Sequence, residues 1–95
     1  MFDKMKQLME FKKQAEQIKK ELGETTVEVD EGRGIKIVID GTQNFHSLSI
    51  DPGRLQADDK QGLEADLIRH LNAAIKKSQD LAAKKMTSFL PNLGT

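Results

Sequence analysis

Few side chains in this 95-residue sequence are equipped for chemistry, and their spacing argues against catalysis. His46 and His70 are its two imidazoles, and with no Cys there is no thiolate nucleophile, no Cys-based zinc site and no disulfide. A helical metal site around His70 needs a second ligand at i+3 or i+4, where Ala73 and Ala74 stand. Both histidines therefore read as surface or boundary residues. Asp58 and Asp59 are adjacent carboxylates, but neighbours at a helix start are better explained by capping and by the helix dipole. Gly32-Arg33-Gly34 lacks the third glycine of a dinucleotide loop and joins two strands rather than a strand and a helix. No serine lies in a Gly-x-Ser-x-Gly elbow, and no lysine follows a phosphate-loop pattern. These residues predict a non-enzyme with no catalytic residue, no metal ligand and no cofactor.

What remains is cationic. Lys76, Lys77, Lys84 and Lys85 face a single nearby acid, Asp80, while Lys6, Lys13 and Lys20 recur every seven residues near the N-terminus. The second set is diluted by Asp3, Glu10, Glu16 and Glu21. Lysine dominates over arginine and aromatics are only 4%, which suits contact with a phosphate backbone rather than base readout or base stacking. Lys+Arg and Asp+Glu are each 15, so the net charge is zero and a uniformly basic nucleic-acid binder is excluded. The zero hides a pattern. Residues 1–22 hold six lysines against four acids, residues 23–66 four basic residues against ten acids, and residues 67–95 five against one. Positive ends around an acidic middle point to a polyanion met by the ends, or to ends and middle pairing within or between subunits.

Those lysines must be carried by regular elements. Residues 1–22 contain no Gly or Pro, and Met1, Met5, Leu8, Phe11, Ala15, Ile18 and Leu22 form one helical stripe, with Gly23 as the stop signal. The period then changes to two. Strands are expected within about 25–31, 35–41 and 45–50, with turn signals at Gly32-Arg33-Gly34 and Asp40-Gly41. They read as an antiparallel meander with one apolar face and one wet, acidic face. Asp51-Pro52-Gly53 ends the third strand. A second helix follows over about 58–89, with Leu63, Leu67, Ile68, Leu71, Ala74, Ile75, Ser78, Leu81, Ala82, Met86 and Phe89 in one sector, and a short tail over 90–95. The expectation is one α+β domain over 1–95, in the order α-β-β-β-α.

Length then implies a second copy. A helix of 30 residues is about 45 Å long, whereas a compact domain of this size is only about 30 Å across. The second helix must project beyond its sheet, and apolar stripes projecting into water mark an interface. A two-fold homodimer is expected, with Leu71, Asn72, Ile75, Leu81, Met86 and Phe89 at its interface and Asn72 as a register-setting polar group. No stretch reaches the ~18 apolar residues of a membrane span, and the N-terminus lacks a signal-peptide core. The chain therefore reads as intracellular, with no membrane partner.

Specific residues meet this outline. Ser47-Leu48-Ser49-Ile50-Asp51-Pro52, Asp59-Lys60, Leu63-Glu64-Ala65-Asp66-Leu67-Ile68, Asn72-Ala73-Ala74 and Lys84-Lys85-Met86, in that order, resemble the YbaB/EbfC family of bacterial nucleoid-associated proteins. The opening Met-Lys-Gln-Leu-Met helix and the Gly32-x-Gly34 turn before a strand ending in Asp40-Gly41 fit the same pattern. The resemblance implies a homodimer with tweezer-like helical arms, binding to double-stranded DNA with little strict sequence preference, a cytoplasmic and nucleoid location, and no catalysis. The resemblance supplies no binding motif, and it is the charge pattern that makes Lys6, Lys13, Lys20, Lys76, Lys77, Lys84 and Lys85 the expected DNA contacts. The competing expectation is a dimeric protein-interaction module that docks a recombination or replication protein.

Overall fold

The computed structural model describes residues 2–89 and the side chains of residues 3–88. Helix α1 spans Phe2–Glu24, strands β1, β2 and β3 span Thr26–Asp30, Ile35–Asp40 and Phe45–Ile50, and helix α2 spans Lys60–Phe89. Short 3-10 turns at Pro52–Arg54 and Ala57–Asp59 connect β3 to α2. The sheet is an antiparallel meander in the order β1-β2-β3. Thus the α-β-β-β-α order and the change of period are as the sequence requires. Two boundaries differ. Helix α1 runs through Gly23 to Glu24, closed by the Thr25 hydroxyl donating to the Glu21 carbonyl at 2.7 Å. Residues 57–59 form a 3-10 turn, so α2 itself starts at Lys60. Met1 of the apolar stripe and the tail over 90–95 lie outside the described residues.

Pairing of Val27 with Ile39, Val29 with Ile37, Ile37 with Leu48 and Ile35 with Ile50 puts the apolar side chains on one face, as a period of two demands. Helix α2 lies on that face over β1 and β2. Its residues His70, Ala74 and Ser78, four apart and hence on one side, are fully buried together with Val29, Ile35, Ile37 and Ile39. The surface or boundary expectation for His70 is therefore corrected. It shares the close-packed side of α2, where small neighbours let the helix approach the sheet. Its Nδ1–H donates to the Asp66 carbonyl at 2.7 Å, and its buried Nε2 has no partner among the described residues. On the outer face of the sheet the acids have partners. Glu28 pairs with Lys36 at 2.7 Å, and Asp30 accepts from the Gly32 amide.

The three layers meet at the turn after β2. The Gly41 amide donates to the carbonyls of Leu22 (2.8 Å) and Thr25 (3.2 Å), fastening the end of α1. A Cβ at position 41 would come within 2.6 Å of Leu22 Cδ2 and 3.1 Å of the Leu22 carbonyl oxygen. The Ser78 hydroxyl of α2 donates to the Asp40 carbonyl at 2.7 Å and accepts from the Gln43 amide. The Asp40 carboxylate accepts from the Thr42 hydroxyl and amide and the Asn44 amide, and pairs with His46 Nε2 at 2.7 Å. Burial pushes this carboxyl up, but the hydrogen bonds from Thr42, His46 and Asn44 outweigh it and hold the pKa at about 2.

Two outcomes follow from this junction. Gly41→Ala forces Leu22 aside and is expected to cost about 1–3 kcal/mol, a cost read as a fall in Tm by thermal denaturation. The Asp40 pKa is lowered from 3.8 to about 2 in the fold, so its stabilisation is present above pH 3.8 and is lost as pH falls through about 2. Acid titration followed by circular dichroism should show a shallower loss across that window for Asp40→Asn than for the unsubstituted chain.

Candidate nucleic-acid interface

The molecule measures 67 × 25 × 17 Å with a radius of gyration of 18.7 Å, well beyond the ~12 Å of a compact chain of this length. The excess length comes from α1, which is held at its C-terminal end. Leu22 is buried and Ile18 half-buried, whereas Leu8 is 69% and Phe11 65% exposed, as are Met5 and Met9 to a similar degree. Glu21 pairs with Lys85 at 3.4 Å, so the last turns of α1 lie beside the C-terminal part of α2.

Among the seven lysines expected to meet phosphates, Lys6, Lys13 and Lys20 are exposed along α1, each with a glutamate one turn on at Glu10, Glu16 and Glu24. None of the three is within ion-pairing distance of a carboxylate among the described residues. Lys13 and Lys20 border a shallow groove with Glu16, Gln17, Glu21 and Glu24. The four lysines of α2 divide rather than forming one patch. Lys77 and Lys84, seven residues apart, share the flank over β1 and line a shallow cleft with Val27, Asp80 and Leu81. Lys77 Nζ donates to the Glu28 carbonyl at 3.2 Å. Lys76, one residue earlier, is turned about 100° away on the exposed side, and Lys85 is occupied by Glu21.

The arginines have a different fate, which the sequence did not disclose. All three, Arg33 from the β1–β2 turn, Arg54 from the first 3-10 turn and Arg69 from α2, converge on Asp66 at 3.9, 3.0 and 3.6 Å. Arg54 also donates to the Arg33 carbonyl and reaches Asp59 at 3.5 Å. The Arg54 hydrogen bond, aided by the charges of Arg33 and Arg69 and opposed by desolvation, lowers the Asp66 pKa below the ordinary carboxylate value. Guanidinium is the better fork for a phosphate, yet here it ties α2 to two turns. The signal available was three arginines close in sequence to acids, with nothing to say that they share one. Arg54 is 20% exposed and bridges three segments, whereas Arg69 is more than half exposed. Arg54→Ala is thus expected to lower Tm more than Arg69→Ala. Equal losses would contradict this division.

Of the expected interface residues, Leu71, Ile75 and Leu81 are half-buried and Asn72 and Met86 exposed, while the Phe89 side chain lies outside the described residues. Leu81 sits on the β1 flank with Val27, apart from Ile75. Phe45, Leu48, Leu55 and Ile68 are large exposed apolar residues that the sequence reading did not assign to an interface. Among the described residues no group of three His, Asp or Glu is placed to hold a metal, and no helix is long and apolar enough to cross a membrane.

Comparison with known proteins agrees with this architecture. A nucleoid-associated protein of Moorella thermoacetica is 30% identical over 90 residues, covering 94% of this chain and 86% of the relative. One from Desulforamulus reducens is 36% identical over 83 residues, covering 86% and 79%. The crystal structure of an uncharacterized protein from Helicobacter pylori superposes with a TM-score of 0.78 at 21% identity, over 95% of this chain and 97% of that one. The profile of the YbaB/EbfC DNA-binding family matches residues 1–93, and the chain belongs to that family.

Proposed function

We propose that this protein binds double-stranded DNA in the nucleoid of a bacterial cytoplasm by contacting backbone phosphates with lysines, with little strict sequence preference. Compaction of DNA or an influence on gene expression is the consequence. The observation that carries this reading is the division of cations. The arginines converge on Asp66, while Lys6, Lys13, Lys20, Lys76 and Lys84 stand exposed with no carboxylate within 4 Å among the described residues. Lysine ammonium groups on helix surfaces supply point charges, which position a duplex without reading its bases. The family membership supports DNA as the ligand. In this reading the protein acts as a homodimer, which doubles the lysines offered to one duplex.

A second reading has its own observation. The exposed Met5, Leu8, Met9 and Phe11 along α1 are more apolar than phosphate contact requires. That stripe suits a helical segment of a recombination or replication protein, with the lysines serving solubility.

Salt titration separates the two. Binding to two unrelated duplexes, followed by fluorescence anisotropy between about 50 and 200 mM salt, is expected to weaken linearly on a log–log plot, with a slope near −0.9 per phosphate neutralised and alike for both. Lys76→Ala with Lys84→Ala should reduce the slope by about 1–2 and leave the circular dichroism spectrum unchanged. No binding at the lowest salt would transfer the assignment to the protein-interaction module.

A further inference from the structure

Helix α1 carries an apolar seam that the rest of the fold leaves open beyond its last turns. Leu8, Phe11, Ala15, Ile18 and Leu22 follow one another at alternating intervals of three and four residues. That repeat of about 3.5 is the seam by which one helix packs on another. Only its end is used within the chain: Leu22 is buried and Ile18 half-buried, while Leu8, Phe11 and Ala15 are exposed. The open part is also shaped. Lys4, Gln7, Leu8 and Phe11 line a shallow depression on it. They stand at i, i+3, i+4 and i+7, the diamond of residues that forms a hole for a knob from a facing helix. Phe11, Gln14, Ala15 and Ile18 repeat the same spacing one heptad further on.

The borders of the seam differ in charge. At about 100° per residue, Lys12 and Lys19 fall along one border and Gln7, Gln14 and Glu21 along the other. Lys4 rims the first hole. None of these three lysines has a carboxylate within 4 Å among the described residues. Lys6, Lys13 and Lys20, the lysines of α1 assigned to phosphates, lie about 180° from the seam, so the two faces of the helix do not compete.

We propose that the open seam of α1 docks an acidic amphipathic helix of another protein, whose apolar knobs enter these holes and whose carboxylates pair with Lys12 and Lys19. The inference rests on the stripe of the second reading and adds the chemistry of its partner, while leaving the phosphate contacts of the first reading in place. Charge selects this occupant. A second α1 laid antiparallel on the seam sets Lys12 against Lys19, and one laid parallel meets those lysines with Gln7 and Gln14, so neither supplies an opposite charge. A lipid surface favours an apolar face bordered by cations, whereas here one border carries amides and Glu21. A helix with carboxylates beside its own seam satisfies Lys4, Lys12 and Lys19 and faces neutral amides on the other side.

The test uses two fluorescently labelled synthetic peptides with the same leucine heptads, one flanked by glutamates and the other by lysines. Each is added to the full chain at low salt and followed by anisotropy. The glutamate peptide should bind and the lysine peptide should not. Lys12→Glu with Lys19→Glu should weaken the glutamate peptide by about tenfold or more and bring in the lysine peptide. Leu8→Ser with Phe11→Ser should abolish peptide binding but keep duplex binding, with circular dichroism unchanged because both side chains are already exposed. Binding of both peptides alike, or of neither, would overturn the proposal. Glutamate-peptide binding that survives Leu8→Ser with Phe11→Ser would overturn it in favour of a general anion site. Loss of duplex binding in that variant would give the seam to DNA, and binding to anionic vesicles in place of the peptide would give it to a lipid surface. Duplex binding by the unsubstituted chain would end the second reading's view that the lysines serve only solubility and leave this docking untouched, so the two failures are distinguishable.

Discussion

The turn after β2 is the constraint on which the other parts depend. The Gly41 amide holds the end of α1, the Asp40 carbonyl holds Ser78 of α2, and the Asp40 carboxylate organises the loop that turns into β3. Helix α1, which shares little other surface with the rest, is thereby set at a fixed angle to α2 and the sheet. Two of these links require a close approach, which explains why a glycine and a small hydroxyl stand where they do. Without this junction α1 would lose the tertiary packing from which most helical stability in proteins comes.

A single helix over three strands has further consequences. The sealed core is small, built from Val29, Ile35, Ile37, Ile39 and Ala74. Apolar surface is left over along β3, on one flank of α2 and along α1. Small domains with limited cores gain stability by association, and the remaining surface here is arranged in helical stripes rather than scattered. The same economy governs charge. Of the expected pairing between the positive ends and the acidic middle, Arg69 with Asp66 is present, whereas Lys77 meets a carbonyl of β1 and Lys85 pairs with Glu21 of the other end. The acids of the middle are instead used locally, Asp30 and Asp51 in turns, Glu28 with Lys36, Asp40 with His46, and Asp66 with the arginines. Lysines of both helices are left exposed as a result.

Much of the fold was legible because its signals are local. The change of hydrophobic period at Gly23 and again after Pro52, and the turn residues at Gly32-Arg33-Gly34 and Asp40-Gly41, specify elements without knowledge of distant contacts. What was not legible depends on which elements touch. His70 looked like a polar helix residue, and only the choice of β1 and β2 as the bed of α2 buries it. Leu48 and Ile35 alternate alike in sequence, yet one is open and the other sealed. The convergence of Arg33, Arg54 and Arg69 on Asp66 joins residues separated by as many as 36 positions, for which spacing offers no cue. For the lysines, the seven-residue recurrence revealed the ridge on α1, but the division of Lys76, Lys77, Lys84 and Lys85 between flanks needed the position of the sheet.

The central claim is that cations left exposed by the fold, and not the sheet or the arginine cluster, meet DNA. Chemical-shift mapping by NMR on addition of a short duplex tests it residue by residue. Perturbations are predicted at the lysine-bearing faces of α1 and at residues 76–85 of α2, with Arg33, Arg54 and the outer face of the sheet unmoved. Perturbations centred on the Arg33–Arg54–Arg69 cluster or on β1, with the helical lysines silent, would contradict the account.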